Sequence, residues 1–185
     1  MPPGYVKTIK EEILYEYAKL ISRSVYGDIQ HGFVSNTFKK LRDGEMTISG
    51  TIREWEREKE LPQECVYCGA TSNLTTEHLI PRSRGGKDCA DNLVLACQSC
   101  NSSKGTKGVF EWLGLKEKDK LHRLVAGKYL KQLLTLHEEA GTLDISKKDI
   151  KFLCDRCFLP AVCEKWGKVE DLTCFCIESV LTNGR

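Results

Sequence analysis

Two CxxC pairs, Cys65 with Cys68 and Cys97 with Cys100, stand 28 residues apart. A CxxC turn aims two sulfurs at one ion while backbone N–H groups support the thiolates. Two such turns complete a closed, tetrahedral zinc site. A closed site has no open coordination position, so this zinc is expected to be structural. Its work is to pin two chain segments that have too few residues to bury a core. Threaded between and just after the pairs is TTEHLIPRSRGGKDCADNLVLACQSCNSSKG, with Glu77, His78, Asn92 and Asn101 inside it. Such crowding fits either a structural zinc knuckle or a catalytic site stapled together by one.

Composition narrows the classes. The chain has 185 residues and 41% of them are apolar, enough for one modest domain or a small domain with appendages. No run of 18 apolar residues is present, so no transmembrane helix and no membrane partner are expected. The N-terminal stretch has no apolar core before a small-residue cleavage site, which argues against a secretory signal and for the cytoplasm. Six of the ten cysteines fall in three CxxC pairs, which reads as reduced, metal-binding thiolates rather than disulfides. A net charge of +2 says little by itself. Locally, Arg82, Arg84, Lys87, Lys104 and Lys107 outnumber Asp88 and Asp91, and a basic stripe beside a metal site suits phosphate as well as plain solvation.

The elements that must position these residues follow from periodicity. Residues 1–60 read as helical. Thr8 and Glu11 have capping-box spacing before the stripe Ile9, Ile13, Leu14, Tyr17, Leu20 and Ile21. A second helix is expected over Val34–Arg42, stopping at Gly44, and a charged third one from Thr51 to before Pro62. Residues 61–108 are rich in short strands and turns. LTTEHLIP and NLVLA read as two strands, and CQSCNSSKGTK as a short helix carrying Cys100 and Asn101 in its first turn. Two strands and then a helix would bring Glu77, His78 and Asn101 together. Residues 109–143 are helical, with Leu121, Leu124, Val125, Tyr129, Leu133 and Leu136 on one face and Gly141 at the C-cap position. Residues 144–185 begin with a short helix expected over Ser146–Cys154 and end in a second cysteine cluster.

In this order, CVYCG, TTEHLIPRSRGGKD and DNLVLACQSCNSSKG resemble an HNH endonuclease, the zinc-stapled form of the ββα-metal nuclease fold. The resemblance covers about a quarter of the chain and makes 61–108 the nuclease module of an α+β, mainly helical protein. It implies a metal-dependent hydrolase acting on DNA. His78 would be the general base that takes a proton from the attacking water. Glu77, facing the other side of the strand, and Asn101, at the start of the helix, would hold a divalent Mg or Mn ion at the scissile phosphate. Asn92 would bridge backbone groups and fix the loop that presents His78. Arg82, Arg84 and Lys104 would contact phosphates. Glu where Asp is also common, and Asn where the family name has its last His, leave the ion's geometry less defined but favour a hard cation. His31, His122 and His137 lie outside the motif, and Cys89 is expected to be a free thiol.

The second cluster offers Cys154, Cys157, Cys163, Cys174 and Cys176. Cys154, Cys157 and Cys163 with Cys176 form the set for a second zinc or a [4Fe–4S] cluster, and unmetallated thiols are the alternative. Two other functions stay open at the level of sequence. One is a zinc-stapled DNA-binding module without catalysis. The other is a nuclease acting on RNA or on structured DNA. Nicking by a monomer and double-strand cleavage by a homodimer are both compatible with one active site per chain.

Overall fold

A computed structural model describes residues 2–48, 63–168 and 170–181. The charged helix expected from Thr51 to Pro62 lies outside the described residues. The chain forms two compact units, one of residues 1–48 with 133–180 and the other of residues 49–132 with 181–185. The first and last of the sequence segments thus share a unit. Among the described residues no helix is long and apolar enough to cross a membrane.

In the first unit, α1 (Ile9–Tyr26) starts where the Thr8 hydroxyl accepts from Glu11 N at 3.2 Å. It ends at Gly27, whose positive φ of 75° suits a residue without Cβ. The Ser22 hydroxyl then donates to Asp28 O at 3.1 Å and accepts from Gln30 N at 2.8 Å, which fixes the turn into α2 (His31–Arg42). Val34 and Phe38 of α2 are buried, and the Phe38 ring packs edge-on against Tyr15 of α1 at 6.1 Å. A later strap crosses the start of α1: Ile9 N donates to Ile145 O and Lys147 N to Lys7 O. That strap explains a difference from the sequence expectation. Ser146 is extended in a bridge to Thr8, and its hydroxyl donates to Asp149 Oδ2 at 2.6 Å, so the helix expected from Ser146 is only α6 (Ile150–Cys154). The short α7 (Pro160–Lys165) and α8 (Cys174–Ile177) complete the segment.

His137 is sealed in this unit, with Nε2 donating to Ile177 O at 2.8 Å and Nδ1 bonded to the Thr142 hydroxyl at 2.7 Å. Burial disfavours the charged ring and lowers its pKa from 6.5 to about 4. Below pH 6.5 the unfolded chain therefore takes up a proton that the folded chain refuses. Stability is expected to fall by on the order of 3 kcal/mol between pH 6.5 and pH 4. His137→Gln should flatten that acid limb in urea melts. A limb of unchanged slope would sink the assignment.

The second unit holds β1 (Leu74–His78) paired antiparallel with β2 (Leu93–Cys97), with Leu74 opposite Cys97 and His78 opposite Leu93. α3 (Gln98–Lys104) follows β2 without a linker, capped by the Cys97 sulfur, which accepts from Cys100 N. α4 (Val109–Glu117) is broken at Gly114, where φ is 72°. α5 (Arg123–Glu139) contributes its residues up to Gln132 to this unit and the rest to the other. It grips the strand loop from one side. Lys128 Nζ donates to Ala90 O at 2.9 Å, Gln132 Nε2 donates to Asp91 O at 2.8 Å, and the Tyr129 hydroxyl accepts from Val109 N. The hydrophobic cluster under the sheet is small: Cys65, Ala96 and Cys97, flanked by Tyr67, Ala70, Leu74 and Cys100.

Candidate functional site

The Cys65 turn is closed by Cys65 N to Ala70 O and Gly69 N to Cys65 O, both 2.8 Å. Val66 N binds Leu95 O, which brings this turn against β2. The second pair caps α3. As a result the sulfurs of Cys65, Cys68, Cys97 and Cys100 all lie within 4.8 Å of one another, with Cys68 and Cys97 at 3.7 Å. Tetrahedral zinc–sulfur bonds of about 2.3 Å require sulfurs about 3.8 Å apart. The donor set therefore fits one zinc ion. Burial resists ionisation of Cys65, yet backbone hydrogen bonds from Cys97, Tyr67 and Cys68 bring its thiol down to about 7.

β1 emerges from this frame with alternating faces. Glu77 points inward and is 3% exposed. Its Oε1 pairs with Lys104 Nζ at 2.6 Å, and its Oε2 accepts from the Tyr67 hydroxyl at 2.5 Å. Burial, and then the charge of Glu77, raise the Tyr67 phenol far above its ordinary value, so it stays a donor. Lys104 is wholly buried and also donates to His78 O at 2.9 Å. It caps β1 from beneath and is closed to a phosphate, which corrects its expected role. Arg84 is corrected likewise. It is buried, and its Nη1 bonds Glu111 at 2.6 Å and Thr106 O at 3.0 Å. Periodicity cannot reveal either burial, because long cationic side chains in a loop and a short helix read as surface.

His78 faces outward on the other side of the strand. Its Nε2 meets Asp88 Oδ1 at 2.5 Å, and Arg82 lies 3.4 Å from the other Asp88 oxygen. The hydrogen bond from His78, aided by the Arg82 charge, holds the Asp88 carboxyl below its ordinary range. The sequence reading did not single out Asp88 or Tyr67. Asp88 sits ten positions after His78, across a loop whose path no pattern gives. The loop's shape is set by Asn92, which is fully buried. Asn92 Oδ1 accepts from Ile80 N, and Nδ2 donates to Ile80 O and Lys87 O, all within 3.0 Å. A Cβ on Gly86 would lie 1.8 Å from Ile80 O, so no other residue fits there. Arg82 is exposed, as is Cys89.

Asn101 lines an open groove with Asn73, Leu74, Thr75 and Gln98, and its side chain has no hydrogen-bond partner among the described residues. Glu77, in contrast, has both oxygens engaged and no open face. The two residues expected to hold Mg or Mn thus do not present an open pair of oxygen ligands in this arrangement.

The Glu77–Lys104 pair predicts a large stability effect. Lys104→Met leaves a buried carboxylate without its counter-charge, which is expected to cost about 3–5 kcal/mol in urea unfolding. Adding Glu77→Gln should recover part of that loss. A single variant within about 0.5 kcal/mol of the parent would show the pair to be solvated.

The family model for HNH endonuclease matches residues 65–107. The chain is also 38% identical over 53 residues to a CRISPR-associated endonuclease Cas9 of Corynebacterium diphtheriae, an alignment covering 26% of this chain and 5% of the relative. No solved structure gives a significant match. Residues 65–107, which hold the four cysteines, are thus similar to the HNH endonuclease family, and the chain spans about a twentieth of that relative's length.

Proposed function

We propose that this protein is an endonuclease that hydrolyses phosphodiester bonds in DNA, with His78 as the general base. The observation that carries the reading is the state of His78 itself. Its side chain is 24% exposed at the end of a zinc-framed strand, and its Nε2 is occupied by Asp88. A neutral ring that donates Nε2–H to a carboxylate has its lone pair on Nδ1. Nδ1 is then the atom that takes the proton from water. Arg82, exposed beside Asp88, is the cation best placed to meet a phosphate.

Dependence on one divalent ion, Mg or Mn, belongs to the proposal, since the family resemblance implies it. Glu77 itself is committed to Lys104 and Tyr67. The test is cleavage of supercoiled plasmid with Mg, with Mn and with chelator after the zinc is loaded. Nicked product indicates single-strand cutting, and linear product indicates paired sites. Salt-dependent DNA binding without cleavage under either ion would favour a non-catalytic binding module instead. Cleavage confined to RNA or branched DNA would move the substrate but keep the chemistry.

Asp88 gives a graded prediction. It is exposed, and pairs of exposed charged groups are weak. Asp88→Asn keeps an acceptor oxygen for Nε2–H and is expected to slow cleavage only a few-fold, to no less than about a fifth of the parent rate. A loss as large as that of removing His78 would mean that Asp88 touches the substrate or an ion directly.

A further inference from the structure

β1 ends at His78, and its other end, at Leu74, opens into a groove against α3. Two adjoining hollows form this groove, and Asn73, Gln98 and Ser102 line both. Thr75 and Asn101 line the larger hollow, which holds about 660 Å³ and is open to solvent. An open groove suits a segment of a long chain better than a small molecule, which is bound by enclosure. Leu74 also lines it, and strand alternation puts Leu74 and His78 on one face of β1. The groove therefore reaches the side on which His78 stands.

Backbone bonds fix its polar rim. Gln98 N donates to Asn73 O at 2.9 Å, which ties the first residue of α3 to the residue before β1. Asn73 stands at a φ of 52°, a left-handed conformation that Asn and Gly tolerate. The two amide side chains thus leave a fixed frame, and both residues are exposed. Among the described residues no side-chain hydrogen bond engages either amide.

The chemistry of the lining selects the ligand. The residues along the larger hollow are all uncharged, whereas a phosphate is held best by a cation. An amide offers a donor and an acceptor side by side, which is the pattern that meets the edge of a base, adenine above all. Leu74 and His78 are four positions apart, about 14 Å at a strand rise of about 3.4 Å. One strand of DNA advances about the same 3.4 Å per nucleotide. We propose that Gln98 and Asn73 read the edge of a base about four nucleotides from the phosphate at His78 and so give cleavage a sequence preference. The proposal rests on the reading of the substrate as DNA.

The test offers the zinc-loaded full chain a pool of random-sequence duplex. Cut ends are sequenced after incubation with Mg or Mn, and bound duplex is recovered and sequenced in parallel. The parent is expected to favour adenine at one fixed position about four nucleotides from the cut. Gln98→Ala and Asn73→Gly should each lower that preference by at least about 5-fold. Asn73→Gly keeps the left-handed backbone, which guards against simple misfolding. Arg82→Ala should instead weaken binding alike on all sequences. Cleavage with a flat base profile overturns the proposal and leaves the nuclease reading standing. A preference that either variant leaves intact overturns it as well. A bound pool that shows the preference without cleavage under either ion supports the base readout and removes the catalytic reading. A chain that binds no duplex overturns both.

Discussion

His78→Ala is expected to slow plasmid cleavage by about 10²- to 10⁴-fold, the span that a positioned general base contributes. The variant should keep its fold. The His78 side chain points outward, and the strand is held by backbone groups: Lys104 binds the carbonyl of residue 78, not its ring, and Asn92 clamps the following residues. DNA affinity should change little, because Arg82 and the neighbouring surface remain. An alanine variant that cuts as fast as the parent ends the general-base assignment.

If the four-cysteine site holds a structural zinc, its removal should have the largest effect on the fold. Among the described residues the hydrophobic cluster around the four-cysteine site has three buried members, Cys65, Ala96 and Cys97, and two of the three belong to that site. Structural zinc sites in zinc-finger peptides contribute about 10–16 kcal/mol at neutral pH, comparable with the whole stability of an ordinary domain. Cys97→Ser removes one of the four grouped sulfurs, the cap of α3 and part of the cluster at once. Amide protection should therefore be lost across residues 65–104, and cleavage with it. Protection that survives in zinc-free Cys97→Ser protein would show that the sheet and α3 stand without the metal.

How much was legible in the sequence depended on the range of the interaction. Thr8 and Glu11 announced the start of α1 because a cap is set within four residues. The two strands and the helix after them were readable from turn residues and the CxxC pairs, and β1, β2 and α3 fall on those stretches. The helix from Ser146 was over-extended because a distant residue, Thr8, claims Ser146 for a bridge. No local pattern carries that information.

The site divides in the same way. By itself the sequence determined the four-cysteine cluster, the order of the ββα elements, and the opposite facing of Glu77 and His78, since strand alternation and turn chemistry are local. Only the tertiary structure decided which charges are spent inside. Lys104 neutralises Glu77 and Arg84 neutralises Glu111 in the interior, while at the surface Asp88 reaches back over ten positions to His78. A cation's partner is chosen by burial. Desolvation makes an unpaired charge costly only where the folded chain excludes water, and which residues it encloses is a property of the whole unit, not of any stretch of it.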